Sequence, residues 1–133
     1  MKPDLLIAGT QLLSSEPVPA SPEELADRAV AAFRALEQHL AHIVGDLGIQ
    51  TVFRRALVLA AVNHPWLAST KPDFAQLRAA FAAQPPEIAI DAFVAVLSTF
   101  VAVLGRLIGE TLVWRLLGEV WPSIFPEVAQ EAP

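Results

Sequence analysis

The chain contains no cysteine. A disulfide framework, a thiolate nucleophile and any cysteine-based metal centre are therefore excluded. Charge is sparse as well, at 17% of residues, and no run of Lys or Arg occurs. Without a basic stripe the chain has no electrostatic footprint for nucleic acid and no polybasic patch for anionic lipid. Glycine-rich phosphate loops and a Gly-x-Ser-x-Gly turn are absent, so the common signatures of nucleotide binding and serine hydrolysis are missing. The start, Met1-Lys2-Pro3-Asp4-Leu5-Leu6-Ile7, reads poorly as a secretion signal: its apolar run is short and preceded by an aspartate. The expected location is the cytoplasm, and abundant Ala with Arg preferred to Lys suggests a bacterial, GC-rich source.

What the chain does hold is apolar surface. Of 133 residues, 54% are hydrophobic and mean hydropathy is +0.48, against about 45–50% apolar in ordinary soluble domains. One domain of this size has a high ratio of surface to volume, so the excess favours oligomerisation or a permanent partner. The net charge of -5 is concentrated late: 7 basic against 8 acidic residues up to Ala83, then 2 against 6.

Helical periodicity predicts an all-α fold, a bundle of four main helices with an N-terminal arm, in a single domain over 1–133. Residues 1–21 form the arm, with a short apolar segment over 3–14 and then a Pro-rich linker over 16–22 that carries Pro17, Pro19 and, where the core begins, Pro22; the arm is a candidate for docking on a neighbouring subunit. Residues 22–121 make the helical core and 122–133 an acidic tail.

The first helix is expected from Pro22 to about Leu47. Ser21 serves as N-cap, Glu24 completes a capping box and Gly48 supplies the stop. Leu25, Ala29, Phe33, Leu36, Leu40, Ile43, Val44 and Leu47 form its apolar stripe. A second helix is expected from Ile49 to Asn63, its inner face Ile49, Val52, Phe53, Ala56, Leu57 and Ala60, and its outer residues Val58 and Val62 covered. Asn63-His64-Pro65 ends it, and Trp66-Leu67 anchors the following loop. Thr70-x-x-Asp73 caps a short third helix that presents Phe74, Leu77 and Phe81, and Pro85-Pro86 breaks it.

The last helix, over 87–121, is very apolar. The pairs Arg106 and Glu110, and Arg115 and Glu119, fall on nearly opposite sides of an ideal helix, so one straight rod cannot expose both. A bend or break is expected near Gly105 to Gly109. Two seams run along it. Asp91, Ala95, Ser98, Ala102, Gly105 and Gly109 recur at 4-3-4-3-4 spacing as a seam of small residues; Phe93, Leu97, Phe100, Leu104 and Ile108 make a bulky one. Small seams let helix backbones approach closely and bulky seams fill cores.

These features predict a non-enzymatic protein–protein interaction module, a homodimeric adaptor or scaffold that associates through its C-terminal helix. The expected interface residues are Phe93, Ser98, Phe100, Gly105, Gly109 and Trp114. The partner is a second copy or another helical protein; no cofactor and no nucleic acid are expected. A carrier of an apolar small molecule, with Trp66, Trp114, Trp121 and the phenylalanines lining an inter-helix pocket, is the alternative. A membrane-active protein is the second alternative, disfavoured because the uncharged run from Ala92 to Gly105 is 14 residues long and spanning takes ~20. His39, His42 and Asp46 share a flank of the first helix and are the weak candidates for a metal site.

Overall fold

The computed structural model describes residues 21–67 and 73–122. The expected arm over 1–20, Thr70 and the acidic tail over 123–133 lie outside the described residues. Within them the chain is all-α: α1 (Pro22–Val44), α2 (Asp46–Ala60), a 3-10 turn (Pro65–Leu67), α3 (Phe74–Ala82), α4 (Pro86–Ile108) and α5 (Glu110–Val120).

Helix α1 begins where a side chain can replace a missing backbone partner. The Ser21 hydroxyl accepts from the Glu24 N–H at 3.2 Å, and Pro22 occupies the first turn, where no N–H is needed. The helix ends at Val44, earlier than the pattern predicts. Gly45 adopts φ +81 and breaks the helix, and α2 restarts at Asp46. Gly48 is not the stop; it lies within α2. A single residue at the left-handed φ reverses the chain, so Ile43 and Leu47 leave the inner stripe and stand 46% and 78% exposed.

Helix α2 turns back along α1 and buries Ile49, Val52, Phe53, Ala56, Leu57 and Ala60. Its outer residues are open to solvent rather than covered: Val58 is 58% and Val62 76% exposed. The 3-10 turn then brings Trp66 edge-on against Phe81, with ring centres 5.2 Å apart, and buries Leu67. Helix α3 starts at Asp73, whose carboxylate accepts from the Ala75 N–H at 2.8 Å. It packs along α1 through Leu77 and Phe81.

Helix α4 runs back antiparallel to α2: Phe53 meets Phe100, while His64, beyond the end of α2, meets Asp91. The inner face of α4 consists of Ala89, Ala92, Phe93, Val96, Leu97, Phe100, Val101 and Leu104. The core centres on Phe33, whose ring lies 4.9 Å from Phe93, 5.2 Å from Phe53 and 6.5 Å from Phe81. Four helices thus meet at one aromatic cluster, where each ring contributes both buried area and an oriented contact.

The expected break in the last segment falls at Gly109. Its φ of +94 with ψ of 143 ends α4 and starts α5, giving five helices where four were expected. The break resolves the charge conflict: Arg106, Glu110, Arg115 and Glu119 are all exposed. Helix α5 packs on α4 and α1, burying Val113, Leu116 and Leu117.

Candidate functional site

The two seams of α4 have separate fates. The bulky one faces inward: Phe93, Leu97, Phe100 and Leu104 are all at most 2% exposed, and only Ile108, at the helix end, is half-buried. The small one faces outward. Asp91 and Ala102 are exposed, and Ala95, Ser98 and Gly105 are half-buried. The cause is packing volume. The large side chains are what fill the space between α4, α1 and α2 at core density, which rotates the small residues to the far side.

Where α5 folds away at Gly109, the outward seam deepens into a groove of about 410 Å³ lined by Ser98, Val101, Ala102, Gly105, Arg106, Glu110 and Trp114. Small Ser98, Ala102 and Gly105 make up much of its α4 wall, beside Val101 and Arg106. Gly105 would accept a Cβ with its nearest neighbour, the Glu110 backbone, 3.9 Å away. One Arg and one Glu stand on it, so it is apolar along its length and of both signs at its end.

Four of the six expected interface residues therefore lie on or beside this face: Ser98, Gly105 and Trp114 line the groove, and exposed Gly109 is the hinge next to it. Phe93 and Phe100, at 0% and 2% exposure, lie inside this chain's own core. The sequence shows two seams but not which one the other helices claim.

Two histidine–carboxylate pairs fasten the α4–α5 arm to the rest. His39 Nε2 on α1 lies 2.9 Å from Glu119 on α5, and His64 Nε2 lies 3.3 Å from Asp91 on α4. His64 is only 8% exposed, the one polar or charged residue buried to this degree among the described residues. Neither pair is visible in the sequence, because the partners are far apart along the chain. His39, His42 and Asp46 do not converge: His39 turns to Glu119, His42 is exposed near the end of α1, and Asp46 belongs to the next helix. Among the described residues no three His, Asp or Glu side chains are placed to share a metal ion.

Further clefts lie elsewhere among the described residues. One, of about 500 Å³, lies at the end of α2 between His64, Trp66 and the first turns of α4. Another, of about 360 Å³, lies between α1 and α3. There Arg78 donates to Asp27, and Arg34 stacks 5.0 Å over the Phe74 ring. The hydrogen bond to Asp27, and then its charge, raise the Arg78 pKa above its ordinary value. Trp66 and Trp114 line different clefts, so the tryptophans are not gathered around one pocket.

Within the described residues the fold is all-α, and half of the most apolar stretch of α4 is buried by its neighbours while the rest is half-buried or exposed. No family model matches the sequence, and comparison with curated proteins and with solved structures finds no match.

Proposed function

We propose that this protein works by association, as a non-enzymatic adaptor or scaffold that pairs with a second copy of itself through the outer face of α4 and the groove beside α5. One observation carries the reading. Helix α4 is apolar enough along its length to cross a membrane, yet only 50% of its most apolar stretch is buried within the chain. The remainder includes a strip of small residues running about 22 Å from Asp91 to Arg106 at 1.5 Å per residue. A surface helix of a small monomer ordinarily presents a charged or polar outer face; this one presents Ala95, Ser98, Ala102 and Gly105.

A second copy suits this face because the face offers small residues and ends of different charge. Small residues on both sides permit close backbone approach, and the strip is bounded by an acid at one end and a base at the other. Such a contact covers on the order of 500 Å² per subunit, close to the lower bound of ~1,000 Å² in total for a specific interface. A reversible dimer is the expected product.

Lipid is the rival occupant. Inserting α4 would take Phe93, Leu97, Phe100 and Leu104 out of the core that now surrounds them, whereas self-association leaves that core intact. Light scattering in detergent-free buffer tests the reading: twice the chain mass is expected for the wild type and the single-chain mass for Ala102→Arg. The substituted side chain is exposed, so the melting temperature of the lone chain should hardly move. A wild type that remains monomeric at high concentration, or binds neutral phosphatidylcholine vesicles through α4, would refute the association reading.

A further inference from the structure

The geometry points to an antiparallel, two-fold pairing of α4 helices, in which Asp91 of each copy faces Arg106 of the other and Ala95 of each faces Ala102 of the other. This inference rests on the association reading above and specifies how the two copies sit.

The argument starts from the distribution of charge on the outer face. From Ala92 to Gly105 no residue is charged. Asp91 bounds this stretch on the amino-terminal side and Arg106 on the other, with Glu110 beside Arg106 at the end of the groove, and all three are exposed. A parallel pairing would set Asp91 against Asp91 and Arg106 against Arg106. Turning one helix end for end sets acid against base at both ends of the contact, and a two-fold axis makes the two pairs identical. The helix dipoles favour the same choice, since the amino terminus of each α4 then lies beside the carboxyl terminus of the other.

The register follows from the same two residues. Matching Asp91 to Arg106 places the two-fold axis between Ser98 and Thr99. Ala95 then opposes Ala102, small against small, on both sides of the axis. Slipping the register by one helical turn would lose both charge pairs. Asp91 can take part without leaving His64, because its side chain is 71% exposed even with that ring beside it.

The absence of native cysteine allows a direct test by disulfide trapping in the full chain with oxidised glutathione. A disulfide requires Cα atoms about 4.4–6.8 Å apart. In the proposed register the two copies of position 98 differ by only ~1.5 Å along the axis, whereas the two copies of position 95 are offset by ~10 Å. Ser98→Cys should therefore cross-link to itself. Ala95→Cys and Ala102→Cys should each cross-link poorly alone and at least tenfold better when mixed. As a second measurement, Arg106→Asp should weaken dimerisation at least tenfold at low salt, and adding Asp91→Arg should recover most of that loss, with thermal melting to confirm folding. A dimer in which Ala95→Cys alone links as well as the mixture would overturn the antiparallel register while leaving association standing. A monomeric wild type would remove the association itself.

Discussion

At the scale of single residues, Gly105 within α4 and Gly109 just beyond its end separate conformation from packing. Gly109 holds φ +94 with ψ 143, a combination that is costly for any residue with a Cβ. Gly105 lies within the helix with its nearest obstacle at 3.9 Å. The same substitution should thus act oppositely at the two positions. Gly109→Ala is expected to destabilise the fold by about 1–3 kcal/mol, since the break between α4 and α5 cannot form without strain. Gly105→Ala is expected to stabilise it by about 0.5–1 kcal/mol, the gain in helix propensity. Urea unfolding of the two variants measures both effects. Equal effects of the same sign would mean that the chain does not break at Gly109. The pair also shows why the sequence locates the bend only to within a turn: both glycines can end a helix, and the choice is made by α5 packing back onto α1 and α4.

Among the elements, how much could be read in advance depended on whether the deciding contact was local. The start of α1 is a local event, since Ser21, Pro22 and the first backbone N–H groups decide it, and it lies where the pattern places it. The stop is not. Gly45 and Gly48 are both competent terminators, and Gly45 prevails because α2 must turn back early enough for Ile49, Val52 and Phe53 to reach the core. In the same way the bulky and small seams of α4 are legible as periodicities, but their assignment to inside and outside follows from the fit of Phe93 and Phe100 around Phe33 and Phe53. Pairs such as His39 with Glu119 join distant segments and carry no local pattern at all. Helix α3 is the shortest of the α-helices among the described residues. It has nine residues, two of them buried, and a single side-chain cap at Asp73. Asp73→Ala should cost about 1 kcal/mol and should raise amide hydrogen exchange in α3 before it does so in α1 or α4. Uniform loss of protection across all helices would show instead that α3 unfolds only with the whole molecule.

For the whole molecule, what matters is how a short chain distributes more apolar side chains than it can enclose. The inner faces of α1, α2 and α4 enclose one continuous core, and α3 and α5 close its two sides. What remains outside is of two kinds. Exposed Ile43, Leu47, Val58, Leu59, Val62, Ile88 and Leu107 are distributed over α1, α2, the turn just after α2, and α4, and exposed apolar residues of this kind are ordinary on protein surfaces. The outer strip of α4 is different, because it is continuous, uncharged over its middle and flanked by a groove. If a second copy covers that strip, folding and association are linked, since the partner binds the folded chain and not the unfolded one. Raising protein concentration from about the dissociation constant to about 100 times that value should then add about 2 kcal/mol of apparent stability. For a domain of this size that is a rise in melting temperature on the order of 10 °C. Ala102→Arg should abolish the concentration dependence while matching the melting temperature of the wild type at high dilution. Scanning calorimetry over that range provides the measurement: a wild type whose melting temperature does not change with concentration is a lone chain, and the face of α4 would then have to be explained without a second copy.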